Sequence, residues 1–109
     1  MKLWLDDVRT PPDGWVHATS VNEAKKHLST GKVSDASLDH DLGDYAHDGG
    51  DGWRLVDWMA EHNIWPTHTI SVHSANPVGV KRMLATIDRY GPYNPGPVGI
   101  PLRSTSQSE

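Results

Sequence analysis

The chain has 109 residues, one domain's worth, and its 36% hydrophobic content permits only a modest core. It contains no cysteine, which excludes disulfides, thiolate metal sites, iron–sulfur clusters and a cysteine nucleophile. The formal net charge of −4 lacks the basic footprint of a duplex-binding module, and no apolar run nears the roughly 20 residues that cross a bilayer, so neither duplex DNA nor a membrane is an expected partner.

The opening Met1-Lys2-Leu3-Trp4-Leu5-Asp6-Asp7 is not a signal peptide, because acid interrupts its apolar run at once, and the cytoplasm is the expected location. Residues 2–6 predict a buried strand with Asp6 and Asp7 at its carboxyl end. The stretch Thr10-Pro11-Pro12-Asp13-Gly14 is a loop. Residues 15–19 predict a second strand. Ser20-Val21-Asn22-Glu23 matches a capping box, with Val21, Ala24 and Leu28 as the apolar stripe and Gly31 as the stop. Residues 33–39 predict a third strand ending near Asp39, and residues 40–51 a polar loop. A second helix starts near Asp51-Gly52 and runs to about Asn63, burying Trp53, Val56, Met59 and Ala60. Residues 69–73 predict a fourth strand. Asn76-Pro77 opens a third helix, with Val80, Met83, Leu84 and Ile87 at helical spacing and Gly91 as the stop. Residues 1–91 therefore form the expected α/β domain, and residues 92–109 a Pro/Ser-rich tail with at most an edge segment at Val98-Gly99-Ile100.

Strands alternating with helices imply a parallel sheet with right-handed crossovers. The link between the first two strands is too short for a crossover helix, so one layer is thinned. The five tryptophans, in a chain without phenylalanine, are expected to compensate. A sheet left exposed on that side would favour a homodimer.

Eleven of the 14 acids are aspartates, and Asp39, Asp41, Asp44, Asp48 and Asp51 fall within thirteen residues that hold no lysine or arginine. With strand order 2-1-3-4, the crevice at the carboxyl ends lies between strands one and three, where Asp6, Asp7 and Asp39 end their strands. Carboxylates gathered there repel one another, and a cation is the natural compensation. Oxygen ligands suit Mg²⁺, Mn²⁺ or Ca²⁺, the first two foremost. Asp51 is read as the N-cap of the second helix, and Asp44 and Asp48 as solvent-facing. His40 and His73 adjoin strand-end polar clusters and are the candidates for proton transfer, while the other histidines are read as satisfied structural residues. Ser74, Asn76 and the amides that open the third helix form a candidate phosphate site, with Gly79 admitting a ligand to the backbone and Arg82 within reach. Plain capping by Asn76 explains the same residues. Arg9 would clamp a phosphate or pair with Asp6 or Asp7.

An acidic pair after strand one, an Asp after strand three and a Ser after strand four resemble a receiver domain, here Asp6-Asp7, Asp39 and Ser74. The receiver lysine has no counterpart, since the last lysine is Lys81 inside a helix, and the final strand–helix unit is missing. The strings Leu-Trp-Leu-Asp-Asp-Val-Arg-Thr-Pro, Leu-Asp-His-Asp-Leu-Gly, Asp-Gly-Trp and Val-His-Ser-Ala-Asn-Pro-Val-Gly resemble the receiver-derived family that processes cyclic phosphates. The resemblance covers about residues 3–90. It implies a truncated receiver/flavodoxin-like sheet and a metal-dependent phosphoesterase associated with RNA repair. The substrate would be a phosphate-bearing small molecule or a 2',3'-cyclic RNA end. In that reading Asp6, Asp7 and Asp39 hold the metal, His40 or His73 moves protons, Asp39 is an alternative nucleophile, and Ser74, Asn76, Arg82 and Arg9 hold phosphate. The alternatives are a signalling receiver phosphorylated on Asp39 and a degenerate receiver used only as an interaction module.

Overall fold

The alternation of apolar and polar residues in four short runs produces four parallel strands: β1 (Lys2–Leu5), β2 (Trp15–Ala18), β3 (Asp35–Leu38) and β4 (Thr69–Val72). A computed structural model describes residues 1–93. The sheet order is β2-β1-β3-β4. Three α-helices complete the fold: α1 (Val21–Leu28), α2 (Gly52–His62) and α3 (Pro77–Tyr90). This is a truncated receiver/flavodoxin-like α/β fold, and among the described residues it has no fifth strand and no fourth α-helix. None of the described helices is long and apolar enough to cross a membrane.

The helix ends follow from local chemistry. Ser20 Oγ accepts from the Glu23 amide at 3.1 Å, while Glu23 Oε1 reaches back to the Thr19 amide at 2.8 Å. Asn76 Oδ1 accepts from the Gly79 amide at 2.9 Å, with Pro77 in the first turn of α3. Asp51 differs from expectation. It stands at the N-cap of α2, but its carboxylate makes no cap bond and instead accepts from the Leu42 amide at 3.1 Å. The residues 40–51 are also more ordered than a plain loop, with a 3-10 helix at Gly43–His47. Asp44 is exposed, but Asp48 binds Ser20 Oγ at 2.7 Å and Asn22 Nδ2 at 3.0 Å, tying this loop to the start of α1. These bonds lower the Asp48 pKa.

The sheet has two unlike faces. Leu3, Leu5, Ala18, Ala36, Leu38, Ile70 and Val72 are at most 1% exposed and lie under the three helices, which pack side by side. Gly52, Leu55, Val56 and Met59 are the buried stripe of α2. The expected stripe was shifted by one residue, because Trp53 and Ala60 flank it half-buried rather than centring it. On α3 only Met83 and Ile87 of the expected four are buried, and Val80 and Leu84 pack at the margin.

The opposite face carries Lys2, Trp4, Trp15, His17, Asp35, Ser37, Thr69 and Ser71, the alternate positions of the same strands. Parallel sheets are normally covered on both faces. Here the link from β1 to β2 is only a loop, so no helix among the described residues covers this side. Trp4 partly substitutes: its indole N–H donates to the Arg9 carbonyl at 3.0 Å, and Trp15 meets it edge-on at 6.1 Å. Trp53 and Trp58 lie instead on α2, and Trp65 meets Tyr93, so compensation falls to two of the five tryptophans. Tyr93 itself folds back to donate to the Pro66 carbonyl at 2.8 Å. The expected edge segment at Val98-Gly99-Ile100 lies outside the described residues.

Candidate metal and phosphate site

The parallel register aligns Leu5 with Leu38 and Leu38 with Val72. The residues that follow each of these, Asp6, Asp39 and His73, therefore emerge in one row at the carboxyl edge of the sheet. Asp7 joins them. One carboxylate oxygen from each of Asp6, Asp7 and Asp39 lies within 4.8 Å of the others.

Asp6 is 1% exposed. Its Oδ1 accepts from the amides of Val8 and Arg9, both at 2.8 Å, and its Oδ2 accepts from His73 Nε2 at 3.0 Å. Burial pushes its pKa up, but these amides and His73 outweigh it and hold the carboxyl below its usual value. Asp39 is the opposite case. Burial, reinforced by the charge of Asp6, raises it to about 6, although the His40 amide and the Ser74 hydroxyl favour the charged form. Asp7 sits beneath the start of the 3-10 helix. Gly43 there has φ of 55°, and a Cβ at that position would come within 2.7 Å of Asp7 Oδ2. Three hard oxygen donors, two of them buried and one raised by its neighbour's charge, fit a divalent cation of the Mg²⁺ or Mn²⁺ kind.

The two candidate histidines have different surroundings. His73 stacks on Trp4 with centroids 3.8 Å apart, and both its ring nitrogens are engaged. Nδ1 meets Ser37 Oγ at 2.6 Å and Nε2 meets Asp6. Ser71 Oγ in turn donates to Ser37 Oγ at 3.3 Å. One proton arrangement satisfies every member: Ser71 donates to Ser37, Ser37 to His73, and His73 through Nε2–H to Asp6. Burial keeps the imidazole pKa low, against the pull of Asp6, and so favours this neutral form. A ring so occupied has no free lone pair for a substrate proton, which differs from the role expected for His73. His40 keeps one. Its Nδ1 pairs with Asp41 Oδ1 at 2.8 Å, and its Nε2 has no hydrogen-bond partner among the described residues.

Around this core, Asn76 Nδ2 reaches Asp41 Oδ2 at 3.3 Å, so Asn76 both caps α3 and orients the His40–Asp41 pair. Ser74 faces Asp39 and accepts from the Asn76 amide at 3.1 Å. Gly79 does not admit a ligand as expected. The His40 ring fills that space, and a Cβ on Gly79 would lie 2.4 Å from it. Arg9 is half exposed, with a guanidinium nitrogen 3.8 Å from Asp6 Oδ2. Arg82 is placed elsewhere: its guanidinium stacks over Trp53 at 4.5 Å, and none of its described contacts is with the carboxylates. Ser37 and Ser71 are not singled out by the sequence, and Asp41 is named there only as a member of the aspartate cluster. Ser37 and Ser71 do occupy matching alternate positions in adjacent strands, a signal that register alone makes visible.

The family model for the cyclic-phosphate processing receiver domain matches residues 1–89. Among curated proteins, none matches the chain.

Proposed function

This chain belongs to the family of cyclic-phosphate processing receiver domains, and from that premise we propose that it is a metal-dependent phosphoesterase that opens a cyclic phosphodiester, with a 2',3'-cyclic RNA end as the substrate. The observation that carries the reading is the convergence of Asp6, Asp7 and Asp39, with His40, which follows Asp39 in the chain, keeping an Nε2 without a hydrogen-bond partner among the described residues. Asp6, Asp7 and Asp39 would hold a divalent ion, which when bound would supply Lewis acidity toward a phosphoryl oxygen and make water more acidic. The remaining work falls to side chains. His73 holds Asp6 in one orientation through its fixed Nε2–H. Arg9 and the Ser74 hydroxyl lie at the rim, where they meet non-bridging phosphate oxygens. His40 Nε2 takes a proton from water as the new O–P bond forms. It then returns the proton to the ribose oxygen as the ring O–P bond breaks, leaving a phosphomonoester. Asp41 and Asn76 keep His40 in place for both transfers.

The test is incubation with 2',3'-cyclic nucleotides and Mg²⁺ or Mn²⁺, followed by ³¹P NMR. The expected result is a phosphomonoester, lost in Asp7→Ala and in His40→Gln. No product with any divalent metal, together with a melting temperature that no metal moves, overturns the reading. Among the described residues no lysine stands at the carboxylates in the way a receiver phosphoacceptor requires. A phosphoryl mass gain from acetyl phosphate that Asp39→Asn abolishes would transfer the site to that chemistry.

A further inference from the structure

Arg82 and Arg54 place their guanidinium groups over one indole, Trp53, at 4.5 and 4.6 Å. Stacked guanidinium and indole groups spend their π faces on one another and leave their N–H edges outward. Beside them opens a cavity of about 360 Å³ whose wall includes Lys25, Trp53, Arg54, Asp57, Trp58 and Glu61. The cluster is linked to His40, the residue that follows Asp39. Trp53 follows Gly52, whose amide donates to the His40 carbonyl at 2.8 Å, and Arg82 lies one helical turn beyond Gly79, which packs against the His40 ring. Three cations and two indoles so placed contrast with a chain of net charge −4.

We propose that this cluster is a strand-binding subsite that holds the nucleotide preceding the cyclic end, so that the substrate is a single-stranded oligonucleotide rather than a free cyclic mononucleotide. The inference rests on the reading of the carboxylates as the cyclic-phosphate site. Charge divides the subsite. The carboxylates of Asp57 and Glu61 repel a phosphate but accept from the amino group of a base, so the base enters the cavity. The phosphodiester then lies along the outward N–H edges of Arg54 and Arg82. The base stacks on the outer face of the Arg54 guanidinium, the one turned away from Trp53, and such stacking tolerates any base, which suits an end with no fixed sequence.

The test compares a six-nucleotide single-stranded RNA bearing a 2',3'-cyclic end with a 2',3'-cyclic mononucleotide, by anisotropy for the first and calorimetry for the second. The oligonucleotide binds more tightly, by about tenfold or more from one stacked base. Trp53→Leu and Arg54→Gln each remove most of that advantage and leave the mononucleotide affinity unchanged, and Arg54→Gln lowers the salt slope of oligonucleotide binding by about 0.7. Arg54 is exposed, so its variant keeps the fold even where Trp53→Leu does not. Equal affinity for the two ligands, or variants that weaken both alike, overturns the subsite. Turnover by the parent protein separates the two readings. Oligonucleotide binding that depends on Trp53, with no turnover of either ligand by the parent protein under any divalent metal, sinks the phosphoesterase and keeps the subsite. Turnover of the mononucleotide with no gain for the oligonucleotide does the reverse.

Discussion

The two faces of the sheet are built from neighbouring residues of the same four strands, yet they do different work. Leu5 and Leu38 point under the helices and are fully buried in hydrocarbon. Trp4 and Ser37, one residue earlier, point to the side that no helix covers and make directed contacts that run to Asp6. The covered face gains stability from area removed from water, which has no direction. The uncovered face holds groups at fixed angles, because each hydrogen bond in the Ser71–Ser37–His73–Asp6 chain orients the next. Loss of one sheet layer thus leaves a face on which polar side chains can brace a site from beneath.

The sharpest way to separate the faces is Leu38→Ala. It should cost about 2–5 kcal/mol in denaturant unfolding, with the metal-induced melting shift retained wherever the variant is folded. Loss of that shift in a folded Leu38→Ala protein would show that the faces are not independent.

Asp39 gives the next effect. Its pKa rises on folding from 3.8 to about 6. Below pH 4 it is protonated in both states and costs nothing. Between pH 4 and 6 unfolding releases its proton, so stability falls as pH rises, on the order of 3 kcal/mol in all. In metal-free buffer Asp39→Asn should therefore be more stable than the parent above pH 6, and the gap should close near pH 4. A gap that does not change with pH breaks the electrostatic account of the site.

Ser37→Ala acts on the other face. It should cost about 1 kcal/mol and shift the His73 ring ¹⁵N resonances, because Nδ1 loses its donor. It should also weaken metal binding by calorimetry, through a less constrained Asp6. Unchanged ring resonances would show that the chain does not reach His73. The smallest effect is expected from Arg9→Gln. Arg9 is half exposed and its nearest guanidinium nitrogen is 3.8 Å from Asp6, so its stability term should stay below about 0.5 kcal/mol. A much larger loss in thermal unfolding would make Arg9 part of the scaffold rather than the rim.

Much of this arrangement is readable from local chemistry. Ser20 and Asn76 mark helix starts because their side chains replace missing backbone partners within three residues. Asp6, Asp7 and Asp39 were visible because each follows a short apolar run, and parallel strands deliver such residues to one edge. Asp51 takes the N-cap position read for it, but the bond its carboxylate makes, like that of Asp48, is not legible in the sequence, for one reason. Their partners, Leu42 and Ser20, lie 9 and 28 residues away, and no local pattern encodes a bond of that range. Arg82 was misplaced because an arginine in the first turns of a helix has several faces to choose from, and the indole of α2 decided it.

Periodicity, capping residues and turn chemistry were enough to specify the strands, the helices and their order, since those signals act over a few neighbouring residues. Folding in three dimensions alone determined which histidine keeps a free nitrogen. His73 directly follows β4, while His40 stands one residue farther beyond β3. Their partners in the fold, Asp41 and the distant Asn76 for one and the distant Ser37, Trp4 and Asp6 for the other, divide them further. A ring nitrogen is free or occupied according to what packs within about 3 Å of it, and packing at that range is set by the register of whole strands.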